Sequence, residues 1–158
     1  YMALTTNINY LSPTGFQLKI NSLKYPNLEY FATTVSLPSV TLDPQPLNYK
    51  TLDFDATGGR LKFGDFNLTV QITENFDNYL ETFDWMHNLQ SKTGKEAEDL
   101  KEDAVLLVFS SHNNVNKTIR FKDIFPTSLG ALEFTSTAEG VNYQTCEITF
   151  SYTNFEFE

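Results

Sequence analysis

Phe66, Leu68, Val70 and Ile72 alternate with Asn67, Thr69, Gln71 and Thr73, a period of two that predicts a strand with one buried face. Directly after it the period changes. Phe76, Leu80, Phe83 and Met86 follow helical spacing, with Tyr79 and Trp85 beside them, and predict a helix over 76–90 that packs this aromatic stripe on the sheet. Asn75 can cap its start, and Asp77 suits the positive end of the helix dipole. A stripe of that kind is a core face far more often than a ligand site.

Upstream, Phe16, Leu18 and Ile20 alternate with Gln17, Lys19 and Asn21, and after Tyr25-Pro26-Asn27 a second extended run covers 29–37 before Pro38 closes it. The two runs are expected to pair as antiparallel neighbours. Residues 1–13 show no period and end in Ser12-Pro13, an arm that orders only against something else. From 40 to 62 the alternation is weak and is interrupted by Pro44, Pro46 and Gly58-Gly59. That pattern predicts a long twisted hairpin projecting beyond the body, with Asp53, Phe54, Asp55, Gly58, Gly59 and Arg60 near its tip. Two strands alone are not stable in water, so these residues are candidates for contact with a neighbouring subunit.

Downstream, the run 104–109 is apolar without alternation, as in a strand buried on both faces. Asn113-Asn114 supplies turn chemistry, and Val115, Lys117, Ile119 and Phe121 form the returning strand. The polar stretch 91–103 reads as a flexible loop or a short solvated helix. Final strands are expected over 131–137 and 142–155, separated by Glu139-Gly140. In the last of them Cys146, Ile148, Phe150 and Tyr152 share one face. Thr145, Glu147, Thr149, Ser151 and Thr153 share the other, a candidate solvated surface or the lining of a water-filled passage. About eight strands and one helix imply a mainly β (α+β) chain, an antiparallel β-sandwich or open β-barrel with one flanking α-helix and the protruding hairpin. A length of 158 residues fits one such domain over 14–158, behind the arm.

Composition narrows the function. Fourteen Phe and eight Tyr supply bulky side chains that favour strands and argue against disorder. Asp and Glu number 20 against 11 Lys and Arg, a net charge of −9, and no Lys or Arg follows Lys122. Gripping nucleic acid needs a basic patch, whereas an acidic surface lets DNA pass without sticking. Cys146 has no partner for an internal disulfide and reads as a small buried hydrophobe. No run of roughly 18 apolar residues predicts a membrane span, and no basic start followed by an apolar stretch predicts a signal peptide.

Catalytic chemistry finds little footing. His87 and His112 fall on different elements. Ser111 and His112 are strand neighbours pointing to opposite faces, and Ser110 shares the face of His112 without a strained nucleophile turn or a third orienting residue. Asp53-Phe54-Asp55-Ala56-Thr57-Gly58 begins like a calcium loop, but Gly64 occupies the position that requires a bidentate acid. Gly58-Gly59-Arg60 lacks the Lys-Ser/Thr of a phosphate loop, and no paired Cys or closely spaced His supports zinc. No enzyme activity and no cofactor are expected.

Three features taken in order carry a resemblance. Leu37-Pro38 closes an early strand; Phe66-Asn67-Leu68-Thr69-Val70 runs directly into a helix containing Asp84-Trp85; the ending joins Phe125-Pro126-Thr127-Ser128-Leu129-Gly130 to Gln144-Thr145-Cys146-Glu147-Ile148-Thr149-Phe150. Across 14–157 this order resembles the tube proteins of contractile bacteriophage tails, and type six secretion needle-tube proteins are similar in architecture. The resemblance implies a structural virion protein of the phage tail, assembled in the host cytoplasm as hexameric rings stacked into a tube inside a sheath and on a baseplate. DNA would pass through it without specific binding and no membrane would be involved. It further implies that the hairpin and the polar-faced strands of neighbouring subunits join into a continuous inner barrel. Baseplate proteins that initiate the tube share this fold, and the motifs do not separate an initiator from a repeating subunit. A carbohydrate- or peptide-binding β-sandwich is the reading of a different class that the fold and the aromatic content also admit.

Overall fold

The computed structural model describes residues 6, 9–137, 140 and 143–158. Its elements are β1 (Phe16–Lys19), α1 (Pro26–Tyr30), β2 (Ala32–Ser36), β3 (Val40–Leu42), β4 (Gln45–Tyr49), β5 (Leu52–Ala56), β6 (Leu61–Phe63), β7 (Phe66–Gln71), α2 (Asp77–Ser91), α3 (Lys95–Glu98), β8 (Glu102–Phe109), β9 (Val115–Leu129), β10 (Thr145–Ser151) and β11 (Asn154–Phe157). The main sheet runs β1-β8-β9-β10-β7-β2, with β11 also on β9. Every pairing in it is antiparallel.

β9 belongs to two layers at once. Residues near Ile119 and Phe121 pair with β8 and β11, while Phe125 to Leu129 pair with β10. Between them the ribbon turns a corner, with Asp123 at φ 55° and the partner chain broken at Tyr152 and Thr153. The two layers therefore face each other, and the alternating residues of each fill the space between. Leu18, Ala104, Leu106, Ile119, Phe121 and Ile124 come from one side; Phe66, Leu68, Val70, Cys146, Ile148 and Phe150 come from the other. Phe66 meets Phe121 with ring centroids 4.5 Å apart. The sheet stays open because β1 and β2 are its two ends and do not pair.

That last point corrects the expectation that the first two extended runs pair with each other. Between them Pro26 opens a five-residue helix, favourable at the first helical turn because Pro has no N–H to satisfy there. The side chain of Glu81 completes the start of this helix by accepting from the Asn27 side-chain amide at 2.8 Å and the Leu28 N–H at 3.1 Å. The turn so built carries β2 across to β7, at the far edge from β1. β8 also differs from expectation, since Ala104 and Leu106 are buried while Val105 and Leu107 are half-covered. Residues 131–137 form no strand, because β10 already pairs with Leu129 and Ser128. Pro126 sits within β9 opposite Phe150 where the register shifts, a bulge that tolerates the missing donor.

α2 closes one end of the barrel with a different face from the one its apolar residues suggest. Asn78, Thr82 and Trp85 are buried, with Leu89 against the core, whereas Leu80 and Phe83 are 48% and 45% exposed. The buried polar side chains are satisfied locally: Asn78 Nδ2 donates to the Gln71 carbonyl and Thr82 Oγ1 to the Asn78 carbonyl at 3.2 Å. Trp85 stacks on Tyr25 at 4.3 Å and donates through Nε1 to the Leu100 carbonyl at 2.9 Å, just ahead of β8. The expected cap is also replaced. Phe76, at φ 59°, precedes the helix, and the Asp77 N–H donates to Thr73 Oγ1 at 3.1 Å.

Candidate functional site: an uncovered hairpin and a polar sheet face

Residues 40–63 leave the barrel as two stacked ladders. β3 pairs with β6 at the foot, and β4 pairs with β5 beyond it. The foot is held to the barrel by aromatic contact: Phe63 lies 5.3 Å from Phe155 and 6.4 Å from Tyr152, centroid to centroid. The Tyr152 hydroxyl donates to the Gly64 carbonyl at 2.8 Å, and burial, then the nearby Asp65 carboxylate, raise its pKa. Asp43 pairs with Lys62, and the Asp43 N–H donates to the Arg60 carbonyl at 3.2 Å.

The turn at the end of the hairpin is Lys50-Thr51, with Lys50 at φ 53°. This corrects the placement of the tip at Asp53, Phe54, Asp55, Gly58, Gly59 and Arg60. The first three lie on the returning strand β5, facing Asn48, Leu47 and Pro46 respectively. The other three lie at the break between the ladders. There a Cβ on Gly59 would overlap the Asp43 carbonyl, so glycine is required by the approach of two backbones rather than by a turn.

Register sorts the outer ladder into two faces, since directly paired residues point the same way. Leu47 with Phe54 and Tyr49 with Leu52 make one face; Asn48 with Asp53 and Pro46 with Asp55 make the other. All four residues of the apolar face are 47–70% exposed. Val40, Leu42, Leu61 and Phe63 repeat the arrangement at the foot, at 36–55% exposed. At the foot Phe63 is partly covered by Phe155 and Tyr152, whereas the apolar face of the outer ladder has no such cover among the described residues.

The second surface is the outward side of β10, β7 and β2. Across it run rows set by pairing: Ser128, Thr149, Asn67 and Ser36; Glu147, Thr69 and Thr34; Thr145 and Gln71. Thr149 Oγ1 donates to Asn67 Oδ1 at 3.0 Å. Ser151 is half-buried at the strand end. In these rows Glu147 is the sole ionisable side chain. The surface is hydroxyl- and amide-rich and carries no cation to hold a phosphate.

No protein-family profile matches the chain. The tail tube protein gp19 of Enterobacteria phage T4 is 24% identical over 153 residues, covering 94% of this chain and 92% of that protein. Over nearly its whole length the chain is similar to a phage tail tube protein. Tail tube protein gp19 of Enterobacteria phage T6 aligns to the same extent. The fold agrees with that likeness. The cap that terminates the anti-feeding prophage tube superposes with a TM-score of 0.71 at 16% identity over 99% of both chains. A chain of the PVC extracellular contractile injection system sheath-tube complex gives 0.68 at 17% identity, again over 99% of both.

The outer ladder of the hairpin and the polar rows of the sheet lie outside the core. His87, His112, Ser110 and Ser111 assemble into nothing comparable: His87 lies on α2 against the Phe83 ring at 5.3 Å, and Ser111 Oγ accepts from Asn9 in a turn. Among the described residues no three metal-ligating side chains converge. Sequence reasoning missed Leu47, Tyr49 and Leu52 of the apolar hairpin face. The signal was present, as period-two spacing of Leu47 with Tyr49 and of Leu52 with Phe54 on either side of a polar pair.

Proposed function

We propose that the chain is the structural subunit of a contractile-tail tube, assembled as hexameric rings stacked end on end. The carrying observation is the two-faced hairpin, whose Leu47, Tyr49, Leu52 and Phe54 remain exposed in the isolated chain. Soluble monomers seldom expose so many apolar side chains on one projecting element, and an unaccompanied two-stranded ribbon is barely stable. A neighbouring subunit supplies the missing cover. The hydroxyl-rich rows around Thr145, Glu147, Thr149 and Ser151 form the inner wall, and joining the free sheet edges of β1 and β2 between copies removes them as exposed edges.

In this role the protein is a virion component, assembled in the host cytoplasm, with sheath and baseplate proteins as partners. It performs no catalysis. DNA travels past a wall that bears one carboxylate and no cation per copy and is not retained. Electron microscopy of the concentrated protein tests the assembly: hexameric rings or tubes are expected, and a chain that stays monomeric at millimolar concentration refutes it. Salt-sensitive micromolar binding of double-stranded DNA in a filter assay refutes the passive wall.

A further inference from the structure

The break between the two ladders of the hairpin is uneven. Leu42 pairs with Leu61 at the foot and Gln45 with Ala56 beyond it, so Asp43 and Pro44 on one side answer Thr57, Gly58, Gly59 and Arg60 on the other. Pro44 has no N–H to offer, and among the described residues one backbone hydrogen bond crosses the break, from the Asp43 N–H to the Arg60 carbonyl. The ion pair of Asp43 with Lys62 lies in the open, with the side chains 45% and 64% exposed, and such a pair contributes little. Gly58 stands in the break at φ 120° with open space around it, a conformation that glycine adopts without steric cost. Beyond the break, β4 and β5 are exposed up to Asp55. Among the described residues no hydrogen bond, ion pair or ring contact ties 45–56 to anything outside its own ladder.

The apolar stripe also changes phase here. Leu42 and Leu47 are an odd number of positions apart, and so are Phe54 and Leu61. In an unbroken ribbon odd spacing puts side chains on opposite faces, so the direction of the outer apolar face relative to the foot is set by the backbone torsions of the break. We propose that this break is a hinge, on which the outer ladder swings as a rigid paddle while the foot stays on the barrel. The inference goes beyond the tube reading, since it concerns the free chain. The parts differ in what holds them. The foot has Phe63 against Phe155 and Tyr152, and the paddle has its own paired positions, with Leu47 beside Phe54 and Tyr49 beside Leu52. The break between them has one hydrogen bond and one exposed ion pair. Gly59 marks the closed limit of the swing. A Cβ there would overlap the Asp43 carbonyl, so any side chain at Gly59 wedges the two backbones apart. With five residues in a strand the paddle is about 17 Å long, and a swing of about 30° carries its tip about 9 Å.

Spin labels on the full chain, kept dilute and unassembled, read the swing. Thr51→Cys/Asn88→Cys reports the distance from the hairpin tip to α2, and Thr41→Cys/Asn88→Cys reports the same for the foot; Cys146 is buried and stays unlabelled. Pulsed dipolar spectra are expected to give a tip distribution about twice as wide as that of the foot, as a paddle of this length requires. Gly59→Ala is expected to move the centre of the tip distribution by several Å and to leave that of the foot in place. A tip distribution as narrow as the foot's, or one that Gly59→Ala leaves unmoved, overturns the hinge. A third pair, Asn48→Cys/Asp53→Cys, sits at directly facing positions within the paddle. Its continuous-wave spectrum should keep strong dipolar broadening. Loss of that broadening means that the outer ladder has come apart rather than swung, and overturns the rigid paddle. None of these outcomes depends on whether copies assemble, so the tube reading is tested separately.

Discussion

In β10, Cys146, Ile148 and Phe150 alternate with polar residues and are buried against Phe66, Leu68 and Val70. In the ladder of β4 and β5, Leu47, Tyr49, Leu52 and Phe54 alternate in the same way and stay exposed. The two regions use one pattern for two ends. In the barrel, burial contributes to folding, at about 25 cal/mol for each Å² of apolar surface removed from water. In the hairpin the isolated chain makes no such burial. On the proposed assembly, stability and assembly rest on separate residues, and substitutions can separate them.

The sharpest separation comes from the barrel. Phe150→Ala removes a fully buried ring that touches Phe66 and Trp85 and is expected to cost about 3–5 kcal/mol in chemical denaturation, from lost transfer and a residual cavity. A cost below about 1 kcal/mol would place Phe150 on the wrong side of the strand.

Next in size is a pH effect where Tyr25 stacks beneath α2. Burial against Trp85, then the Glu102 and Glu81 carboxylates, push the Tyr25 phenol up to about 12. An unfolded chain ionises this group near 10. Between those values the folded state holds the extra proton, so stability is whole below pH 10 and falls by about 2–3 kcal/mol as the pH rises through 12. Denaturation midpoints of Tyr25→Phe measured across that range should lack this part of the decline.

Smaller still is Thr149→Ala, which removes the hydrogen bond to Asn67 but no packed volume; about 1 kcal/mol is expected in the same denaturation assay. Smallest is the hairpin itself. Leu47→Ser/Phe54→Ser should leave the monomer's midpoint within about 0.5 kcal/mol of the unaltered chain, yet abolish tubes under the microscope. A large loss of monomer stability would mean that the hairpin face is covered by its own chain.

How much of this was legible in the sequence follows from the same contrast. β7 and β10 were readable because each is buried on one face and so writes a clean period of two. The hairpin was readable as a projection, but Gly58-Gly59 drew the tip to the wrong place; Gly58 serves a positive φ at the break between the ladders, and Gly59 answers to the backbone approach at Asp43, a contact that no local pattern records. α2 was read as a helix with its phase wrong. Phe76, Leu80, Phe83 and Met86 are the more apolar stripe, while the buried one contains Asn78 and Thr82, whose hydrogen bonds to Gln71 and Asn78 make burial tolerable. Sequence hydrophobicity does not price that satisfaction. The strand expected over 131–137 failed for another reason, since its alternation was real but the neighbouring position on β10 was already taken by Leu129.

β9 restricts which changes of length the chain can absorb. Because one strand of 15 residues serves both layers, a single inserted residue in its middle would shift the register against β10 or against β8 and β11, and turn one inward set of side chains outward. Only a further bulge, of the kind already present at Pro126, would absorb that. Insertions and deletions are therefore channelled to the outer hairpin and to the irregular stretch after Leu129. Those are the places where chains of this fold are freer to change size than in the ribbon that joins the two layers.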